Sequence, residues 1–183
     1  MMHEQEDMSW PRSPSQLLLD ESDLVGFEGV AAVGDKLYVA FQRAWSKAGD
    51  PSDRARIGCY DRATGTWGFV YYPLDTPTSP NGGWVGLSEL TYLGDGEFSV
   101  IERDNQGGVD ARIKRVFSFS VAGLSFQPDA QAPSFDVISK VLELDLVMAD
   151  TYGPTGGMVP EKLEGFALLH DGRALIVNDN DGV

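Results

Sequence analysis

Three glutamates, Glu28, Glu89 and Glu164, each stand near the head of a stretch that closes on further polar side chains. The stretches read FEGVAAVGDKLYVAFQR from Phe27, LSELTYLGDGEFSVIERDN from Leu87 and LEGFALLHDGRALIVNDND from Leu163. Their matching ends are Gln42-Arg43, Glu102-Arg103-Asp104 and Asn178-Asp179-Asn180. Carboxylates gathered at one place hold a cation or pass protons, and arginine holds an oxyanion through its planar fork. Glu102-Arg103-Asp104 puts a cation between two acids, an arrangement suited to a phosphate or a metal-bound water.

Such groups meet only if each stretch folds back on itself. The glutamate and the first end residue are 14, 13 and 14 positions apart, and the turns between them are Gly34-Asp35, Asp95-Gly96 and Asp171-Gly172. These pairs form tight hairpins, so each unit brings its acid and its polar tail to one end. Residues 56–60 and 66–72 make a second hairpin, and residues 115–121 and 138–147 another. An inner hairpin followed by an outer one is a four-stranded propeller blade. The glutamates repeat at intervals of 61 and 75 residues, beyond the compact blade length of about 40 to 50, and the excess falls in loops 45–54, 76–84, 105–114 and 148–162. The expected fold is all-β and β-propeller-like, with about two and a half four-stranded blades. It reads as part of a larger ring. Residues 1–23 form an N-terminal tail with room for one extra strand, and residues 24–183 form the domain.

Composition agrees with this class. The chain has 42% apolar residues, with 21 glycines and 10 prolines in no regular period, which favours many turns and few long helices. Its 14 Lys and Arg face 28 Asp and Glu, a net charge of −14, so nucleic acid is not an expected partner. No apolar run is long enough to span a bilayer. Cys59 is the only cysteine, which excludes an internal disulfide and a cysteine-based zinc cluster. The first residues are acidic and polar and do not read as a signal peptide.

Through Phe27-Glu28-Gly29 with Gln42-Arg43, Leu87-Ser88-Glu89-Leu90 with Ile101-Glu102-Arg103-Asp104, and Leu163-Glu164-Gly165 with Asn178-Asp179-Asn180-Asp181, the chain resembles the phytase-like family, or esterase-like activity of phytase, a bacterial β-propeller group. The resemblance runs from about Leu24 to Asp181. It implies a hydrolase acting on phosphate esters and an extracellular or periplasmic setting.

In a propeller the innermost strands line a central channel, so the three glutamates would ring its mouth. Crowded carboxylates repel unless neutralised, and Ca²⁺ takes such oxygen ligands. Glu28, Glu89, Glu164, Asn178 and Asp179 are the candidate ligands of a divalent cation, with Ca²⁺ expected. Arg43, Glu102, Arg103 and Asn180 are the candidate substrate-binding residues. Asp179 or Asp104 would serve as general base, and Arg103 would hold a phosphate oxygen. Lys114, Arg115 and Lys162 are, with Arg43, candidate phosphate contacts by the same logic, though most of these read as surface charges. Trp45 and Trp84, lying in loops, are the aromatics placed to line a cleft.

The other reading is a non-catalytic ligand-binding or scaffold propeller. There each glutamate accepts backbone N–H groups, or pairs with Arg43 or Arg103, and locks blade to blade. NDNDG is no EF-hand, because its first ligand position falls on Val177. His3 and His170 form no metal pair, and Ser88 lacks the second glycine of a nucleophile elbow. The expected partners are a small phosphate ester and either the missing blades or a second copy of the chain.

Overall fold

A computed structural model of the chain describes residues 26–129, 133–148 and 159–179. Among them every extended element is β, joined by two short 3-10 turns at Ser46–Ala48 and Gly108–Asp110. None of the described helices is long and apolar enough to cross a membrane.

The first blade is an antiparallel sheet of β1 (Phe27–Val33), β2 (Lys36–Phe41), β3 (Arg54–Asp61) and β4 (Thr66–Pro73), in chain order. The second is built on β7 (Glu97–Asp104), which pairs outward with β8 (Lys114–Ser120) and then β9 (Lys140–Asp145). Its inner edge is a broken strand. β5 (Val85–Leu87) pairs with the C-terminal end of β7 and β6 (Thr91–Gly94) with its N-terminal end, leaving Ser88, Glu89 and Leu90 between them. A third unit is the single hairpin of β10 (Lys162–Leu168) and β11 (Ala174–Asp179). Two blades and a hairpin are what the repeat led us to expect, and the sheets close into no barrel.

Turn chemistry sets the hairpins. Asp95 and Gly96 hold φ of 48° and 81°, the left-handed pair that matches the twist of a two-residue hairpin. Asp95 is the only non-glycine residue with positive φ among those described, and an aspartate tolerates it because its short side chain bonds locally.

The blades pack face to face through one apolar layer. Tyr38, Ile57 and Tyr72 of the first meet Phe98, Val100 and Phe119 of the second, with Tyr38 and Phe98 ring centroids 4.8 Å apart. A chain segment between β8 and β9 returns to cover the outer edge of β4, exchanging backbone bonds between Phe69 and Gln127 at 2.7 and 3.1 Å. That edge is thereby withdrawn from pairing with other chains. The third hairpin is held more lightly, by Leu163 with Phe166 and Ile176 against Ile101 and Val116. Leu168, Leu175 and Val177 stay more than half exposed.

Candidate active site

Each of the three glutamates sits where its strand breaks regular pairing. The β1 register slips between Phe27 and Gly29, so Glu28 is the extra residue, and the β10 register slips between Leu163 and Gly165, so Glu164 is. Glu89 lies in the gap between β5 and β6. A bulge re-aims one side chain out of the two-residue alternation, a device common beside active sites. The bulges also bring the inner strands together. A Cβ on Gly29 would lie 2.3 Å from the Leu90 amide nitrogen and 2.6 Å from the Glu89 carbonyl carbon, so only glycine lets the first blade approach the second there. Across the next junction Ser88 donates its hydroxyl to the Leu163 carbonyl and Thr91 donates to the Phe166 carbonyl at 3.1 Å.

The glutamates and Arg103 share one electrostatic neighbourhood. Arg103, 4% exposed, donates from Nη2 to Glu164 Oε1 at 2.7 Å. Glu28 accepts the Gln42 side-chain amide at 3.0 Å. Its carboxyl is lifted above the ordinary range by burial and by the charge of Glu164, while Arg103 pulls it down. Glu89 is lifted as well, chiefly by burial, against the Leu90 N–H that it accepts at 2.9 Å. Among the described residues no three His, Cys, Asp or Glu side chains gather as a metal site requires. Glu28, Glu89 and Glu164 are met by an amide, a backbone N–H and a guanidinium respectively.

Glu102 and Asp104, on either side of Arg103, are engaged by other partners. Glu102, fully buried, accepts Lys140 Nζ at 2.6 Å and the Asp75 N–H at 2.8 Å. Asp75 in turn accepts Lys140 at 2.8 Å and Arg115 at 2.6 Å, and these bonds hold its carboxyl below the usual range in spite of its burial. Asp104, 2% exposed, accepts Lys114 Nζ at 2.8 Å and the Arg112 and Ile113 N–H groups at 2.7 and 3.0 Å. Lys114 is wholly buried and also donates to the Asp104 and Glu161 carbonyls. Lys114 and Arg115, read from sequence chiefly as surface charges, are therefore corrected to one buried and one half-buried ion-pair partner, because the two-residue alternation turns Lys114 inward. Asn178 and Asp179 stand exposed at the end of β11, with Asp179 opposite Lys162 in register, and Asn180 lies outside the described residues.

Arg43 is set apart from both groups. Its guanidinium lies over the Trp84 ring at 4.6 Å from the centroid, and Arg103 approaches the same ring at 5.6 Å. Gly86 permits this, since a Cβ there would meet the Gln42 carbonyl oxygen at 2.6 Å and the indole at 3.0 Å. Arg43 Nε is buried without a hydrogen-bond partner, and Arg43 pairs with no carboxylate among the described residues. Arg43 and Trp84 line a cleft of about 560 Å³ between the loops after β2 and β4, within the usual size range of ligand sites. Trp45, the other aromatic expected in a cleft, is instead 2% exposed and packs under Arg56. Arg56 escaped the sequence reading: it is wholly buried and forked onto Asp50, at 2.7 Å from Nη2. An arginine between the apolar Ala55 and Ile57 of a strand was the available signal.

Searches of the curated proteins and of the solved structures returned no match. The family model described as phytase-like, esterase-like activity of phytase, matches residues 20–182. That match spans both blades, the third hairpin and Glu28, Glu89 and Glu164, and the chain belongs to the phytase-like family, whose description associates it with phosphoesterase-type activity in general.

Proposed function

We propose that the chain hydrolyses phosphate esters at the mouth formed by Glu28, Glu89 and Glu164 and the Arg43–Trp84 cleft. The observation that carries this reading is Arg43, a guanidinium without a carboxylate partner in a chain of net charge −14. Arg43 holds the phosphoryl oxygens through its fork, and Arg103 contributes positive charge from the other approach to Trp84. Glu28, whose carboxyl keeps its proton to higher pH than an ordinary glutamate, donates it to the leaving oxygen. Glu164, with 28% of its side chain exposed, orients the attacking water, and Asp179 is the second candidate for that role. Glu102 and Asp104 are spent on lysines and backbone inside the second blade and take no part.

A scaffold or binding propeller is the second reading. It is favoured by the bonds Arg103–Glu164, Gln42–Glu28 and Leu90–Glu89, which already satisfy the acid ring. On either reading β11 has no second strand partner among the described residues, beside exposed Leu175 and Val177, and we assign its edge to pairing with further strands of a larger ring or with a second copy.

Phosphate release from a phosphomonoester, followed from about pH 4 to pH 8, separates the two readings. The hydrolase reading predicts turnover that falls as pH rises through the Glu28 titration, and a loss of about a hundredfold in Glu28→Gln. Absence of release from monoesters and diesters alike, by folded protein, would leave the binding reading standing.

A further inference from the structure

Two things are asked of any ligand of the Arg43–Trp84 cleft: how much negative charge it brings, and what it offers the rest of the wall. Four charged side chains line the cleft among the described residues: Arg43, Asp50, Asp53 and Asp75. Asp50 is engaged by Arg56, by the Tyr71 hydroxyl at 2.9 Å and by the Trp45 N–H at 3.1 Å, and Asp75 by Arg115 and Lys140. Arg56, Arg115 and Lys140 are therefore already committed to carboxylates of the cleft or behind it. Asp53, 66% exposed at its side chain, meets Arg54 at 3.6 Å, a weak and screened contact. One uncommitted cation thus faces several carboxylates. The remaining wall is largely apolar, with Leu74, Pro77 and Val85 beside the indole of Trp84.

We infer that the cleft takes an organic phosphate with a single phosphoryl group and an apolar or aromatic substituent, and that it rejects polyphosphates. Arg43 offers one planar fork, which binds one phosphoryl group in two parallel hydrogen bonds. A second or third phosphate would find carboxylates where it needs cations, and like charges placed against a ligand are how a site excludes it. The substituent covers Leu74, Pro77 and Val85, removing apolar surface from water that inorganic phosphate leaves wet. This rests on the proposed use of the cleft for phosphate esters and names the class of ester.

The test is binding of phenyl phosphate, inorganic phosphate and inositol hexakisphosphate to the full chain, by calorimetry at fixed low ionic strength, with phosphate release measured in parallel. Phenyl phosphate should bind at least about tenfold more tightly than either other probe, and Arg43→Gln should weaken it by about tenfold or more, the scale of a lost charged hydrogen-bond pair. Arg43→Lys keeps the charge but loses the fork and should fall between. Asp53→Lys, at the exposed rim, should improve hexakisphosphate binding more than phenyl phosphate binding. Equal or tighter binding of hexakisphosphate, or indifference of phenyl phosphate to Arg43→Gln in a protein with an unchanged melting curve, overturns the inference. Arg43-dependent binding without release defeats the hydrolase reading and leaves this one intact. Preferential binding and release of phosphate from hexakisphosphate does the reverse.

Discussion

The mouth and the wall of the second blade use the same residue types to opposite ends. At the mouth, Glu28 and Glu164 stand on bulges and Glu89 in the gap of a broken strand, all half-buried, with a single guanidinium reaching Glu164. In the wall, Glu102 and Asp104 flank that same guanidinium in sequence, yet both carboxylates are buried and matched to lysine and backbone donors. A charge in a regular strand is either fully paired or costly to bury, whereas a charge on a bulge can face a channel. Function is therefore to be sought among residues that leave the alternation, and structure among those that keep it.

The difference is sharpest when a wall pair is broken. Asp104→Asn leaves Lys114 buried among carbonyls without its counter-charge, and should destabilise the fold by about 3 to 5 kcal/mol in urea unfolding. Replacing both, Asp104→Leu with Lys114→Met, should recover much of that loss, because the charge that must be hidden is gone. If the single change costs no more than a surface substitution, the wall is not what we describe.

At the mouth the corresponding change is milder. Arg103→Met removes the partner of a glutamate that keeps 28% side-chain exposure, so water and salt screen the loss, and about 1 to 2 kcal/mol is expected. It should also create an appetite for cations. Millimolar Ca²⁺ should leave the melting temperature of the parent nearly unchanged and raise it in Arg103→Met, where the glutamates have lost their internal cation. A clear rise in the parent would mean that its carboxylates do gather around an ion.

The smallest effect is in pH. Glu28 and Glu89 are lifted above the ordinary value of 4.5, mainly by burial, so the folded chain holds more protons than the unfolded one just above that value. Stability contributed by these groups is then lost as pH rises through the lifted range. Glu28→Gln with Glu89→Gln should flatten that fall and raise the neutral melting temperature by a few degrees at most. A steeper fall in the double variant would contradict the burial of these groups.

Much of the frame was legible before any coordinates. Hairpins announced themselves through Gly34-Asp35 and Asp95-Gly96, and the threefold spacing of the glutamates gave the blades. The bulges were not legible, since nothing in FEG or LEG states that the pairing register slips there. The partners of Glu102 were not legible either, since Lys140 and Asp75, which engage it, lie far from it in the chain. Gly29 and Gly86 carry close approaches between blades that only the three-dimensional arrangement reveals. The isolation of Arg43 likewise depended on learning where every nearby carboxylate had already gone.

The most direct test of the contrast is kcat/KM for phosphate release by the parent and by Arg43→Gln, with melting curves of both. Our account predicts a fall of about a hundredfold in Arg43→Gln with little loss of stability, since Arg43 is tied to no carboxylate of the fold and gives up only its contact with Trp84. Undiminished release by Arg43→Gln, or a fall matched by an equal collapse of the melting temperature, would contradict it.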